Sequence, residues 1–180
     1  MHKDIQEILV SHEQIIEKCD ELGKKIKEDY EAQNTVPLLV ALLKGSIPFL
    51  SDLMQRIDMD GLEFDVMDVS SYCGAESIGD IKINLDLKKS LKDVSVLLVE
   101  DIVDTGRTLK EVKRLLLHKG AKDVKIVSLL DKPERRVVPI DADYVGFTIK
   151  NEFVVGYGLD YNQKYRNLPY VGVLKREVYE

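Results

Sequence analysis

The alternation of apolar and polar residues predicts a first helix followed by a buried strand. Apolar residues recur at helical spacing over residues 15–26, and Ser11 and Gln14 ahead of them have the spacing of a capping box. We expect this helix to end near Tyr30. Residues 37–43 form a continuous apolar run of strand length, which is typical of a sheet that is buried on both faces.

The next part of the chain predicts a helix, a loop and two weaker strands. Pro48 stands where the first turn of a helix tolerates proline, so a second helix is expected to run to about Arg56. Residues 64–69 follow an imperfect strand pattern, and residues 81–88 alternate as a half-exposed strand should. Between these strands, residues 70–80 contain turn formers and few large apolar groups, and we interpret them as a mobile loop.

The central part of the chain shows the clearest pattern. Residues 94–99 predict a buried strand, residues 108–119 an amphipathic helix that ends before Gly120, and residues 124–130 the next strand. Strand, helix and strand at this spacing form a parallel βαβ unit, for which a right-handed crossover is expected. Shorter strands are predicted over residues 144–149, 153–155 and 171–173.

Together these elements predict an α/β protein with one open parallel sheet flanked by helices and small additions from both ends of the chain. The length of 180 residues suits a single domain with a full hydrophobic core. No internal repeat, low-complexity tract or Gly/Ser linker divides the chain.

Charge and cysteine content narrow the class of protein. The net charge of −6 argues against nucleic-acid binding, which normally needs a basic surplus. The two cysteines, Cys19 and Cys73, form no CxxC motif, so a reducing cytosol fits better than a disulfide framework or a zinc site. Residues 1–10 lack a signal-peptide pattern, and no apolar run approaches the ~20 residues of a membrane span. We expect a cytoplasmic protein without nucleic-acid or membrane partners.

Polar residues follow three predicted strands at the edge where open parallel sheets bind ligands. Lys44 and Gly45 follow the first strand, residues 100–109 follow the central strand, and Asp131 and Lys132 follow the next one. The carboxyl ends of parallel strands lie at one edge of a sheet, where ligands bind. The three segments are therefore predicted to share a site.

The end of the central βαβ strand carries the residues of an anion site. A Thr-Gly-x-Thr sequence, Thr105 to Thr108, opens a helix whose first backbone N–H groups can hold a phosphate. Gly106 allows the phosphate to approach the backbone closely, and the two threonine hydroxyls add donors. The alternative is that these residues only cap a helix and lie in a solvated loop. A lone Asp-Thr-Gly sequence more often has that purely structural role.

Three carboxylates stand just ahead of that helix. Glu100 and Asp101 can accept hydrogen bonds from ribose hydroxyls or hold a hard cation such as Mg²⁺. Asp104 would stand between this acidic pair and the phosphate, where it can take a proton from a bound nucleophile. We find no P-loop sequence in the chain, and Gly156-Tyr157-Gly158 lacks the third glycine and the helix of a dinucleotide-binding fingerprint.

The segment from Glu100 to Leu109 resembles the ribose-phosphate motif of the type I phosphoribosyltransferases, which use 5-phosphoribosyl-1-diphosphate. The resemblance implies that fold, with a core over about residues 36–150 and a small hood from about residues 1–10 and 151–180. It also implies that Glu100 and Asp101 lie at the ribose and the metal. The residues that would bind ribose 5-phosphate are Asp104, Thr105, Gly106, Arg107, Thr108 and Leu109.

Other segments resemble the hypoxanthine-guanine branch of that family. Leu43-Lys44-Gly45-Ser46 is similar to its diphosphate loop, in which a non-proline cis bond precedes the lysine. Ser71-Tyr72 is similar to the dipeptide on its mobile lid, which would cover about residues 70–80. A plain turn with a surface lysine and an ordinary exposed loop are the respective alternatives. Two residues depart from the pattern of the branch. Ser46 stands at a position where glycine is frequent, and Arg107 at a position where lysine also occurs.

The base-binding residues of the branch also have counterparts. Lys132 resembles the lysine that reads the purine 6-position, since an ammonium group only donates hydrogen bonds and so matches a 6-oxo group. By the same resemblance, Phe153 stacks on the purine and the Val154 backbone meets the 2-position. Asp160 would hold a metal bound to the diphosphate, and Arg166 would contact the diphosphate. A solvated lysine, a core phenylalanine and a turn aspartate are the alternatives.

The resemblance implies a Mg²⁺-dependent enzyme that joins hypoxanthine or guanine to the sugar phosphate, with Asp104 accepting the N7 proton, and that forms a homodimer or homotetramer. Two other hypotheses stay open. A regulator could sense 5-phosphoribosyl-1-diphosphate without catalysis, although the acidic balance speaks against the nucleic-acid surface it would need. A transferase of the same fold could act on adenine, xanthine or a pyrimidine, although Lys132 and Phe153-Val154 favour 6-oxopurines.

Overall fold

The computed structural model describes residues 1–71 and 81–180. Most of the predicted loop and its Tyr72 lie outside the described residues, and Ser71 is the last residue of a strand. The strands are β1 Ile5–Val10, β2 Leu38–Leu42, β3 Glu63–Ser71, β4 Ile81–Leu85, β5 Ser95–Val103, β6 Asp123–Asp131, β7 Tyr144–Thr148, β8 Val154–Val155 and β9 Val171–Leu174. The helices are α1 His12–Glu31, α2 Ile47–Met54, α3 Arg107–His118 and α4 Arg176–Tyr179, with a 3₁₀ turn at Pro133–Arg135.

Six strands form the main sheet, in the order β4-β3-β2-β5-β6-β7. All neighbouring pairs are parallel except β3 with β4, which are antiparallel. The open sheet predicted from the sequence is therefore confirmed, with one antiparallel edge strand that the pattern did not reveal.

The hydrophobic core lies on both faces of this sheet. Alternate residues of β2 point to opposite faces: Leu39 and Ala41 pack with α1 and α2, whereas Val40 packs with α3. The continuous apolar run of β2 follows from this double burial. The first helix begins as predicted, because Ser11 and Gln14 form both hydrogen bonds of a capping box.

Segments from both ends of the chain form a second, three-stranded sheet in the order β1-β9-β8. The strand β1 is antiparallel to β9, with Ile5 opposite Leu174 and Val10 opposite Val171. The pattern of apolar and polar residues predicts neither β1 nor α4. Charged residues interrupt the apolar pattern of β1, so its pairing partner at the other end of the chain defines it.

The central strand β5 is longer than predicted. The apolar run ends at Val99, but the strand continues to Val103, with Glu100 paired to Ser128 and Ile102 to Leu130 of β6. The prediction that the strand ends before the two acids was therefore wrong. Because β6 continues beside it, the ladder of hydrogen bonds holds Glu100 and Asp101 on a strand and not in a loop.

Smaller differences concern helix ends. The second helix ends at Met54, two residues before the predicted Arg56.

Among the residues that the structure describes, we find no helix that combines the length and the apolar character needed to cross a bilayer.

Candidate active site

The site lies beyond the carboxyl ends of β2, β5 and β6, where open parallel sheets bind ligands. Two adjacent pockets open there. The smaller pocket has a volume of about 140 Å³ and is lined by Glu100, Ile102, Val103, Asp104, Thr105, Gly106, Thr108 and Leu109. The larger pocket has a volume of about 430 Å³ and is lined by Ile102, Asp104, Lys132, Arg135, Asn151, Glu152, Phe153, Val154, Leu159, Asp160 and Tyr179.

The smaller pocket surrounds the start of α3. Gly106 precedes the helix with φ of 80°, in the left-handed region that favours glycine. A Cβ atom there would lie 2.5 Å from Ile140 Cγ2, so both conformation and space require glycine. The N-terminal end of α3, which begins at the exposed Arg107, carries a partial positive charge from the helix dipole. The Arg107 N–H donates to Thr105 Oγ1 at 3.5 Å. The pocket therefore suits a small anion.

Glu100 and Asp101 bring two carboxylates close together next to this pocket. Burial raises the pKa of Glu100 well above its ordinary value, and the charge of Asp101 raises it further. Burial also raises the pKa of Asp101, although the Ile102 N–H, which donates to Asp101 Oδ1 at 2.7 Å, acts in the opposite direction. Both carboxylates are only partly exposed, so a bound cation or hydroxyl donor would stabilise their ionised forms.

Two glycines let three distant segments meet at Asp101. A Cβ atom on Gly45 would lie 1.6 Å from Asp101 Oδ2, and a Cβ atom on Gly158 would lie 1.9 Å from the Gly45 carbonyl oxygen. The peptide bond between Leu43 and Lys44 is cis, as the resemblance implied. Ser46, where glycine is frequent in the branch, is buried, and its hydroxyl donates to the Leu42 carbonyl.

Asp160 and Arg166 form an ion pair behind the acidic strand end. Arg166 Nη2 lies 2.8 Å from Asp160 Oδ1, and Arg166 Nη1 donates to the Gly158 carbonyl at 2.7 Å. Its Nε is buried and has no hydrogen-bond partner among the described residues. A buried donor without a partner is costly, so this side of the site fits an incoming acceptor.

The larger pocket contains one buried cation and one exposed aromatic ring. Lys132 is only 8% exposed, and its ammonium group donates to the Glu152 carbonyl at 2.6 Å. Burial lowers the pKa of Lys132, because the charged form loses solvation. The Phe153 ring is 38% exposed, whereas Val154 is buried in β8. A flat ring with hydrogen-bond acceptors on its edge fits such a pocket.

Asp104 lines both pockets, and Ile102 is the other residue that they share. The Asp104 carboxylate is 39% exposed, and its Oδ1 accepts a hydrogen bond from Arg135 Nε at 3.0 Å. Asp104 can therefore reach a group in either pocket, and a carboxylate placed there can take a proton from one bound reactant as it joins the other.

Two arginines that the sequence pattern does not single out support this aspartate. Arg135 pairs with the Asp104 carboxylate, and Arg136 donates to the carbonyls of Val103, at 3.1 Å, and of Asp104. Arg136 also pairs with the Asp131 carboxylate at the end of β6. The sequence shows only two adjacent arginines after a proline, a pattern that is common in exposed turns.

Most of the predicted residues line one of the two pockets, namely Glu100, Asp104, Thr105, Gly106, Thr108, Leu109, Lys132, Phe153, Val154 and Asp160. Gly45 lies against Asp101, and Arg166 pairs with Asp160. Lys44 follows β2 and lines neither of these pockets. Of the predicted lid pair, Ser71 ends β3 and Tyr72 lies outside the described range. Thr108 lines the smaller pocket together with Thr105, and Arg107 opens α3.

Oxygen ligands at the acidic strand end fit a magnesium ion. Within residues 1–71 and 81–180, no three His, Cys, Asp or Glu side chains form a ready metal cluster. Mg²⁺ is usually bound by one or two carboxylates together with substrate phosphates, so it does not need such a cluster. Three carboxylates are available in this site. Those of Glu100 and Asp101 are largely buried, and that of Asp160 is paired with Arg166.

Comparison with known proteins agrees with this geometry. A model of the phosphoribosyl transferase domain family matches residues 6–162. The chain is 57% identical over 180 residues to a hypoxanthine-guanine phosphoribosyltransferase of Lactococcus lactis subsp. lactis, covering 99% of this chain and 96% of the relative. It is 54% identical to a bifunctional protein TilS/HprT of Listeria innocua, of which it spans 27% of the length while 99% of this chain is covered.

Solved structures give the same result for the fold. A crystal structure of a hypoxanthine phosphoribosyltransferase from Staphylococcus aureus superimposes with a TM-score of 0.94 at 50% identity, covering 100% of this chain and 97% of that one. A Trypanosoma cruzi hypoxanthine phosphoribosyl transferase superimposes with a TM-score of 0.94 at 37% identity, covering 99% of this chain and 96% of that one.

Proposed function

The chain belongs to the phosphoribosyltransferase family, and we propose which of its residues carry out each part of the transfer. Its activity is hypoxanthine-guanine phosphoribosyl transfer, a reaction of purine salvage. The 5-phosphoribosyl group of 5-phosphoribosyl-1-diphosphate passes to N9 of hypoxanthine or guanine, giving IMP or GMP and pyrophosphate. The observation that carries the residue assignment is the position of Asp104, which lines both pockets.

The smaller pocket binds the 5-phosphate of the sugar. The first N–H groups of α3 and the hydroxyls of Thr105 and Thr108 donate to the phosphate oxygens. Gly106 leaves room for the phosphate at the backbone. Arg107 and Leu109 belong to the same phosphate-binding segment. Glu100 and Asp101 accept hydrogen bonds from the ribose hydroxyls.

Lys44, Gly45 and Arg166 bind the diphosphate, the leaving group. The unpartnered Nε of Arg166 supports this assignment, because a diphosphate oxygen would satisfy it. As the bond from C1′ to the diphosphate breaks, negative charge grows on the leaving group and positive charge on the sugar. The cations of Lys44 and Arg166 stabilise the first of these charges.

The larger pocket binds the purine. Lys132 donates to the 6-oxo group, Phe153 stacks on the ring, and the backbone of Val154 contacts the 2-position. Asp104 accepts the proton from N7, and the electron pair that this leaves in the ring allows N9 to form its bond to C1′. Arg135 holds the Asp104 carboxylate before the base arrives.

Magnesium is the metal that the donor set favours, with Glu100, Asp101 and Asp160 to hold it. When bound, Mg²⁺ neutralises charge on the departing diphosphate. We expect EDTA to abolish nucleotide formation and added Mg²⁺ to restore it. Activity that survives complete chelation would refute the metal assignment. Cytoplasmic location and a homodimeric or homotetrameric state stay predictions.

The substitution Asp104→Asn tests the central assignment. The amide keeps the shape of the side chain but cannot accept the N7 proton as a carboxylate does, so kcat for IMP formation should fall by about 100-fold or more. Binding of 5-phosphoribosyl-1-diphosphate, measured by calorimetry, should stay within about threefold, a difference below 1 kcal/mol. The matched control is Asp58→Asn, an exposed carboxylate that lines neither pocket.

Wild-type turnover in Asp104→Asn would remove Asp104 from its role as the base. Wild-type enzyme is also incubated with adenine, xanthine and uracil in separate reactions. A clear preference for adenine, which carries a 6-amino group, over hypoxanthine and guanine would refute the assignment of Lys132 as the reader of the 6-oxo group.

A further inference from the structure

Tyr179 of α4 lies against the ring that is assigned to the purine. Its ring is stacked on Phe153 with 4.6 Å between centroids and 21° between planes. Tyr161 meets the same Phe153 ring edge-on, at 5.6 Å and 88°. Tyr179 also lines the larger pocket. One aromatic side chain from a helix that the sequence did not predict is therefore part of this pocket.

The stacking leaves only one face of Phe153 for a base. A planar base between two parallel rings needs their centroids about 9 Å apart, twice the ~4.5 Å of a single stacked pair. The rings of Phe153 and Tyr179 are too close for that. Phe153 nevertheless stays 38% exposed and lines the larger pocket, so part of its ring remains available to a base there. A bound purine, Phe153 and Tyr179 then form three successive layers.

Several contacts fix Tyr179 in this position. The Lys175 N–H, just before α4, donates to the Asp4 carbonyl at 3.0 Å, and the Leu174 N–H donates to the Phe153 carbonyl at 2.8 Å. The Tyr179 side chain itself packs against the small buried cluster of the second sheet, formed by Ile5, Val155 and Leu174. The backing ring is therefore held by the same sheet that carries Phe153.

We infer that Tyr179 is a positioning residue for the purine, acting through Phe153, an inference that rests on the proposed function. With Tyr179 in place, the Phe153 ring is already oriented when the base arrives. Without it, the Phe153 ring gains rotational freedom that base binding must remove. The loss should fall on the base and not on the sugar phosphate, whose pocket Tyr179 does not line.

Steady-state kinetics of Tyr179→Ala test this inference. Aromatic stacking beyond simple burial corresponds to about a three- to tenfold change in affinity. The KM for hypoxanthine and for guanine should rise by about that factor, while kcat and the KM for 5-phosphoribosyl-1-diphosphate stay within about twofold. Tyr179→Phe keeps the ring and should restore both base KM values.

The matched control is Val178→Ala, which shortens a neighbouring side chain of α4 that packs on the same cluster but does not line the pocket. It should leave both base KM values unchanged. Wild-type base KM values in Tyr179→Ala, an equal rise in the KM for 5-phosphoribosyl-1-diphosphate, or no rescue by Tyr179→Phe would each overturn the inference. Wild-type enzyme that makes no IMP would instead refute the proposed function.

Discussion

Replacing Gly45 by alanine should damage catalysis far more than folding. The added Cβ atom would lie 1.6 Å from Asp101 Oδ2 and 3.5 Å from the Gly158 carbonyl oxygen. Only the first of these contacts is impossible. The backbone of Gly45 is outside the left-handed region, so alanine brings no strain there. The end of the Asp101 side chain must turn away, and its hydrogen bond with the Ile102 N–H is lost.

The magnitude follows from what Asp101 does in each state. A hydrogen bond to a charged group contributes about 1.5–3 kcal/mol, and if Asp101 makes one such bond to the sugar or metal, kcat/KM for 5-phosphoribosyl-1-diphosphate falls about 10- to 150-fold. In the folded Gly45→Ala variant, the hydrogen bond between Asp101 and the Ile102 N–H is lost. The Asp101 carboxylate also leaves a buried position that is costly for its charged form, as its raised pKa indicates, so the two effects on stability partly cancel. The melting temperature should therefore fall by no more than about 4 °C.

A double-mutant cycle decides whether the effect passes through Asp101. In an Asp101→Ala background the clash disappears, so adding Gly45→Ala should lower kcat/KM by less than about threefold, well under the 1.4 kcal/mol of a tenfold change. The control is Gly61→Ala, which has open space but φ of 77° and should reduce stability without reducing kcat/KM. Additive losses in the cycle, or wild-type kcat/KM in Gly45→Ala, would show the reasoning to be wrong.

Two further predictions concern buried charges. Burial and Asp101 raise the pKa of Glu100, so without divalent cations the folded protein binds this proton more tightly than the unfolded chain, and stability should fall as pH rises through the raised pKa. Glu100→Gln should remove that fall and increase the melting temperature at pH 7 while reducing turnover; an unchanged pH profile of the melting temperature would contradict this. Burial lowers the pKa of Lys132, so its ¹³Cε NMR signal should titrate at a lower pH than the signals of the exposed lysines. The pH of this titration should rise when IMP binds. A Lys132 signal that titrates at the same pH as the exposed lysines would disprove the prediction.

Much of the fold followed from patterns within short segments. The capping box of Ser11 and Gln14, the doubly buried run of β2 and the β5-α3-β6 unit all appear as expected, because each depends on residues close in sequence. The antiparallel direction of β4 did not follow, nor did the strand β1. Direction and pairing depend on which segments lie next to each other, which no local period specifies.

The candidate site also contains features that could be predicted from the sequence and features that could not. The segment from Glu100 to Leu109 could be assigned to an anion and a proton transfer because its donors, acids and glycine are consecutive in sequence. The partner of Asp104 could not be assigned, since Arg135 reaches it from the end of the next strand. The strand position of Glu100 was also missed, because the β6 ladder and not the sequence of β5 extends the strand.

The sequence by itself determined the strand-loop-helix unit and led to the prediction that this unit binds a phosphate. Only the tertiary structure decided that Gly45 lies against Asp101, and that Tyr179 stacks on Phe153. The physical reason is that hydrogen-bonded periods and caps act over a few residues, whereas these contacts join segments that the order of strands in two sheets brings together.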